Sequence, residues 1–238
     1  DRRPRPAAPV TSWAAAEPAS WWVCAAVVLV AVVLGHRLGR ALATGGYRLG
    51  DEEHRRRPAP AWLVAVALPV LWGVLAVRLG AASRGALLPA YLLLAWVGLA
   101  LAWVDADVHR LPEGLSLPAV PGVAALLTVA TVTTGDWGAL LRAAVCGVAG
   151  WLVYLALALA VPGGLGLGDA TVGGLVALAL GYLGWGVPML GFLLAYLLAG
   201  LVVLVGLTFR RLHLKSAIAF GPFILLGGLL APLLHVQL

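Results

Sequence analysis

Two aspartates of this 238-residue chain stand at the ends of long apolar runs, where a carboxylate is uncommon. Asp105 follows directly on one run, and Asp169 leads into another. Two carboxylates that share one site do not both ionise readily, so one can serve as an acid while the other serves as a base. Such a pair can activate water against a peptide carbonyl by general acid–base catalysis.

Residues that break helices surround both aspartates. Gly166 and Gly168 precede Asp169 and allow the backbone to unwind, which leaves room for an extended peptide beside the carboxylate. Pro112 and Pro162 interrupt helices near the same positions, and irregular backbone at membrane depth is tolerated where it lines a wet cavity. The sequence therefore predicts a cleft that contains both carboxylates.

Simpler roles for these carboxylates stay open. Asp169 is well placed to cap the helix that follows it, since capping side chains at helix N-termini are commonly Asp. Asp105 and Asp169 could instead form a relay in a proton- or cation-coupled transporter with broken helices. In a third reading the chain is a non-catalytic membrane scaffold, and its aspartates are structural partners of Arg110. Asp136, between Gly135 and Trp137, reads as an ordinary turn residue.

The elements that must position these residues are membrane helices. Hydrophobic residues make up 62% of the chain and charged residues 11%, against about 45–50% and about 25% in an ordinary soluble domain. This composition excludes a disordered chain, a nucleic-acid-binding domain and a disulfide scaffold, and it predicts an all-α polytopic membrane protein of about eight transmembrane helices. The expected spans are 19–34, 61–77, 87–104, 115–133, 138–161, 171–183, 186–207 and 217–236. Because only Gly184 and Trp185 separate the sixth span from the seventh, a count of seven with one long bent helix is the alternative.

Basic residues indicate the orientation, because cytoplasmic loops carry the excess of Lys and Arg. The first, third, fifth and seventh loops hold ten of the 16 basic residues, and the other side holds six. We therefore place the first set in the cytoplasm and both termini outside. Two spans separate Asp105 from Asp169, so both carboxyls are expected at the cytoplasmic edge of the bilayer.

Residues 1–20 are expected to form a disordered tail, and residues 21–238 a single transmembrane domain with a short, Arg-rich cytoplasmic loop at 36–60. Arg55, Arg56 and Arg57 in this loop are read as orientation signals. Cys24 and Cys146 lie in apolar runs as free thiols, and neither they nor the five histidines have metal-ligand spacing. We therefore expect no metal, no cofactor and no nucleic-acid partner. The sequence indicates no particular oligomeric state.

Three strings resemble the prepilin peptidases, also called type IV leader peptidases, which are Gly-x-Gly-Asp intramembrane aspartic proteases. Residues 166–169 read Gly-Leu-Gly-Asp and match that string. The string from Asp105 to Glu113 is similar to the family's Asp-x-Asp-x-x-x-Leu-Pro-Asp, and residues 215–223 look like its Ile-Pro-Phe-Gly-Pro-Phe. By resemblance, Asp105 and Asp169 are the catalytic pair, and the neighbours that bind substrate or shape the site are Asp107, Pro112, Glu113, Gly166 and Gly168.

The resemblance implies an aspartic endopeptidase in a prokaryotic plasma membrane, with its active site facing the cytoplasm. Its partner in the bilayer would be a pilin-like precursor, cleaved after a short basic leader that precedes an apolar helix. Glu113, Thr171 and Ala219 depart from the family, which often has Asp or Asn, Lys and Pro there. Many bifunctional members also N-methylate the new amino terminus and carry a longer first loop with paired cysteines. Residues 36–60 hold no cysteine, so we expect peptidase activity without methyl transfer.

Overall fold

The computed structural model describes residues 21–52, 60–80, 85–160, 166–209 and 219–235, and these ranges contain eight α-helices and no strand. The predicted all-α fold is confirmed. The expected disordered tail at 1–20 lies outside the described residues, as do Arg55–Arg57, Pro162 and residues 215–218. The helices are α1 (Trp21–Thr44), α2 (Trp62–Gly80), α3 (Leu88–Val108), α4 (Glu113–Thr134), α5 (Trp137–Ala160), α6 (Leu167–Leu183), α7 (Gly186–Thr208) and α8 (Gly221–His235).

Six of these helices are long and apolar enough to cross a bilayer, namely α1 to α5 and α7, with the third counted from Gly85. The remaining two, α6 and α8, are shorter apolar helices of 17 and 15 residues. Large apolar side chains are exposed along the outer faces of the bundle, as lipid contact requires; examples are Leu141, Val148, Leu193 and Leu197. The chain is a multi-pass membrane protein.

The short helix α6 lies at the centre of the bundle. It packs against α4, α5, α7 and α8, while α3 packs against α2, α4 and α8. Glycines allow the closest approaches, since a Cβ at Gly150 of α5 would come within 2.5 Å of the Ala177 methyl on α6. Hence most of α6 is buried, which matters because Asp169 lies in its first turn.

Helix α1 continues further than expected. Its final turns include His36, Arg37 and Arg40 and end at Thr44, whereas the sequence predicted a loop from residue 36. The extension pairs with α2: a Cβ at Gly35 would lie 3.2 Å from the Ala65 carbonyl oxygen, and one at Gly39 would lie 3.0 Å from that of Ala61. Because the backbones of α1 and α2 pack closely at these glycines, α1 is stabilised beyond the end of its apolar run.

The sixth and seventh predicted spans are separate helices. Helix α6 ends at Leu183, Gly184 is extended with φ 168° and ψ 161°, and α7 begins at Gly186. The described residues therefore contain eight helices, and the alternative of seven with one long bent helix is wrong.

A side chain from α5 fixes the far end of α6. Arg142 donates hydrogen bonds from Nε to the Gly181 carbonyl at 2.7 Å and from Nη2 to the Tyr182 carbonyl at 2.6 Å. A cation at the carboxyl end of a helix also complements its dipole. The Tyr182 hydroxyl forms a 3.0 Å hydrogen bond with Thr131 of α4. These contacts hold the end of α6 that lies opposite Asp169.

Candidate functional site

Asp105 lies in the last turn of α3. The sequence predicted that this span ends at residue 104, but the helix continues to Val108. The helix ends at His109, which adopts a left-handed conformation (φ 55°, ψ 39°) and donates its N–H to the Asp105 carbonyl at 2.9 Å. The Asp105 side chain is buried, with the residue only 5% exposed. Its Oδ2 accepts a 2.9 Å hydrogen bond from the amide of Gly221, the first residue of α8.

Asp169 is the third residue of α6, after Gly166, which is extended and precedes the helix. The Gly166 amide donates a 2.8 Å hydrogen bond to Asp169 Oδ2, so Asp169 caps the helix from its third position while Gly166 is the N-cap residue. The residue is 9% exposed, and its Oδ1 is buried without a hydrogen-bond partner among the described residues. Capping therefore accounts for one carboxylate oxygen and leaves the other for a different role.

The two carboxyl groups lie close enough to interact electrostatically, although 64 residues separate them in the chain. Leu111, between α3 and α4, lies beside both Gly168, which precedes Asp169, and Gly221, which binds Asp105. A Cβ at Gly168 would lie 2.7 Å from Leu111 Cβ, and one at Gly221 would lie 3.4 Å from Leu111 Cδ2. The end of α3 and the beginnings of α6 and α8 therefore meet at one edge of the bundle.

Asp107 is held in a separate ion-pair network. Its carboxylate accepts hydrogen bonds from Arg48 Nε at 2.8 Å and Arg48 Nη2 at 2.6 Å, and from the Tyr47 hydroxyl at 2.6 Å. Trp103 Nε1 donates to the same hydroxyl at 3.3 Å. Burial, and then the hydrogen bond to Asp107, raise the pKa of Tyr47. Asp107 thus attaches the segment after α1 to the end of α3.

The remaining sequence-predicted residues have distinct positions. Pro112 is extended and precedes α4, while Glu113 begins that helix and is exposed. Gly166 and Gly168 lie beside Asp169, and Gly168 leaves room for Leu111. The structure therefore brings both aspartates and both glycines together, and it keeps Asp107 and Glu113 in other surroundings.

Arg110 does not pair with the aspartates as the scaffold reading proposed. It donates to Glu52 through Nε at 3.1 Å and Nη2 at 2.7 Å. Arg110 is half exposed and Glu52 belongs to a short 3₁₀ turn after α1, so the pair links two loops on the same face.

Three residues at the site or in the neighbouring ion-pair network were not predicted from the sequence. Gly221 lies within the string at 215–223, Arg48 is one of the ten basic residues that indicate the orientation, and Tyr154 lies in an apolar run. The motif string was a usable signal for Gly221. For Tyr154 the sequence held none, because its position beside Asp169 depends on the packing of α5 against α6.

Thr171, where the family often has Lys, faces an apolar cavity of about 520 Å³ between α4, α5 and α6. Leu117, Ala144 and Leu175 also line this cavity. A threonine suits these apolar surroundings better than an ammonium group, which is costly to bury. The departure at this position thus agrees with its environment.

Within the described residues, no three His, Cys, Asp or Glu side chains are grouped so that they could hold a metal ion. The chemistry that the site itself offers is that of two neighbouring carboxyls that interact electrostatically. Each is fixed by one backbone amide, and both are largely shielded from solvent.

Comparison with known proteins gives three informative relatives. The chain is 35% identical over 178 residues to a prepilin leader peptidase/N-methyltransferase of Pseudomonas putida, covering 72% of this chain and 57% of that protein. It is 31% identical over 174 residues to the protein of that name from Aeromonas hydrophila, covering 71% of this chain and 52% of the relative. The match to the Aeromonas salmonicida protein has 31% identity over 175 residues, with the same coverage of 71% and 52%.

No protein-family model and no solved structure matches the chain. The chain spans about half the length of the curated relatives it matches, at 52–57%. The resemblance seen in the motifs is nevertheless confirmed by similarity across most of this sequence. Over 71–72% of its length, the chain is similar to proteins named prepilin leader peptidase/N-methyltransferase.

Proposed function

We propose that this protein is an aspartic endopeptidase of the prepilin leader type, with Asp105 and Asp169 as its catalytic residues. The observation that carries the proposal is the pair of buried carboxyls from α3 and α6, which interact electrostatically at one edge of the bundle. The printed names of the relatives support the same activity. No observation favours the transporter alternative.

The proposed mechanism uses both carboxyls on one water molecule. The ionised aspartate removes a proton from the water, while the protonated partner donates a hydrogen bond to the scissile carbonyl. Backbone amides hold the two groups in place, from Gly221 to Asp105 and from Gly166 to Asp169. Hydrogen bonds of this kind reduce the reorganisation needed during the reaction.

The proposed substrate is a pilin-like precursor with a short basic leader and a following apolar helix. A site at the edge of a helical bundle suits this substrate, because the apolar helix can remain in the bilayer while the leader stays in water. The excess of Arg in the first, third, fifth and seventh loops supports a cytoplasmic orientation. We expect the product to keep an unmethylated amino terminus, in line with the cysteine-free sequence at 36–60.

The proposal is tested with the purified chain in liposomes that also contain a pilin-like precursor. Mass spectrometry of the products should show one cut between the basic leader and the apolar helix. A precursor whose leader lacks its basic residues serves as the matched substrate control and should be cut more slowly. An intact precursor after long incubation with folded protein contradicts the proposed activity.

A further inference from the structure

Tyr154 of α5 is a buried tyrosine beside the aspartate pair. Its ring occupies space that exists only because residue 173 of α6 is glycine, since a Cβ at Gly173 would lie 2.5 Å from Tyr154 Cδ2. The ring also packs against Phe192 of α7, with centroids 5.2 Å apart. Packing on both sides fixes the ring and therefore the direction of its hydroxyl.

The hydroxyl of Tyr154 is buried and makes no hydrogen bond of standard geometry with the described residues. Its strongest polar neighbour is the hydroxyl of Tyr196 on α7, at a looser hydrogen-bonding geometry, and it interacts more weakly with the carboxyl of Asp169. A buried hydroxyl without a hydrogen bond costs folding free energy, and such a group calls for a functional explanation.

Other buried tyrosines of the bundle do not leave their hydroxyls unused. Tyr91 donates to the Ala179 carbonyl at 2.8 Å, and Tyr182 forms a 3.0 Å hydrogen bond with Thr131. Tyr154 differs from them because it lies beside the site. Asp169 Oδ1 is also buried and has no hydrogen-bond donor among the described residues, so it offers an acceptor for this hydroxyl.

We propose that Tyr154 is a positioning residue for Asp169. Its hydroxyl donates a hydrogen bond to Oδ1 through one water molecule. The Gly166 amide already holds Oδ2. With both oxygens engaged, the carboxyl is held in one orientation within electrostatic range of Asp105.

The kinetic consequence rests on the proposed peptidase function, whereas the hydrogen bond itself does not. Infrared spectroscopy of the full chain in liposomes separates the two. The carboxyl band of Asp169 is identified as the band that Asp169→Asn removes. We expect Tyr154→Phe to shift this band, because a hydrogen bond changes the carboxyl stretching frequency, and we expect the matched variant Tyr182→Phe to leave it in place. An unshifted band in Tyr154→Phe overturns the inference.

The kinetic readout uses the same variants on the pilin-like precursor. Tyr154→Phe should lower kcat by about 10- to 100-fold, the equivalent of one hydrogen bond to a charged group, with KM within about twofold of the parent value. Tyr182→Phe should leave kcat within about twofold. A parent-like kcat in Tyr154→Phe also overturns the inference. If the parent chain cleaves nothing, the peptidase proposal fails, and the infrared band still decides whether Tyr154 binds Asp169.

Discussion

The amide of Gly221 donates a 2.9 Å hydrogen bond to Asp105 Oδ2, which joins residues 116 positions apart in the sequence. Gly221 is the first residue of α8, so the start of one helix fixes a carboxyl in the last turn of another. The amides at the N-terminus of a helix have no partner within that helix and favour a negatively charged group. The position of α8 therefore determines the position of the Asp105 carboxyl.

Substitution of Gly221 should test this relationship. A Cβ at residue 221 would lie 2.7 Å from Asp105 Oδ2, so Gly221→Ala must displace the carboxyl or the start of α8. A displacement of about 1 Å can lower a rate about 100-fold, and we expect a loss of kcat of that order in the precursor-cleavage assay. Gly114→Ala is the matched control, because a Cβ there meets nothing within 4 Å. Equal kcat values in the two variants would argue against the role of Gly221.

The ion pair between Arg48 and Asp107 should affect stability more than catalysis. Asp107→Asn weakens both hydrogen bonds from Arg48 and the one from Tyr47, so the midpoint of thermal unfolding in detergent should fall by several degrees. Cleavage below that temperature should continue, and Asp107→Asn should be much milder than substitution of Asp105.

A double-mutant cycle with Arg48→Gln provides the control for this prediction. If the two side chains act as a pair, the double variant should lose less stability than the sum of the single losses. Strictly additive losses, or complete loss of cleavage in folded Asp107→Asn protein, would contradict the structural role of Asp107.

Much of the bundle and the meeting of the aspartates could be predicted from the sequence. Apolar runs give the helices because a bilayer requires backbone hydrogen bonds to be satisfied within each span. Two helices between Asp105 and Asp169 return the chain to the same face, and the structure places both carboxyls there. Local patterns were sufficient for these features.

Features that depend on contacts between distant segments were not predictable. Helix α1 continues to Thr44 because Gly35 and Gly39 pack closely against α2, and no single run of residues contains that information. The pairing of Arg48 with Asp107 spans 59 positions, and a positive charge in a loop has many possible partners. The place of Tyr154 likewise depends on Gly173 of the next helix.

Close packing of α8 against α7 should be intolerant of added volume. A Cβ at Gly227 would lie 2.7 Å from the Ala195 amide nitrogen and would also collide with the carbonyl oxygen of Gly191, both in α7. Overpacking of this kind costs about 1–3 kcal/mol, so Gly227→Ala should lower the unfolding midpoint. Gly200→Ala in α7 is the control, because its Cβ meets nothing within 4 Å. Unchanged stability of Gly227→Ala would show that the two helices can separate freely.

Cleavage of a pilin-like precursor by the Asp105→Asn and Asp169→Asn variants tests the central claim most directly. Each variant keeps the size of the side chain and removes its ability to exchange a proton. Asp136→Asn, at the distant start of α5, is the matched control, and circular dichroism in liposomes checks that all three variants fold. We predict that both site variants lose cleavage by at least about 1000-fold while the control cleaves normally. Cleavage near the parent rate by either folded site variant would contradict the catalytic pair.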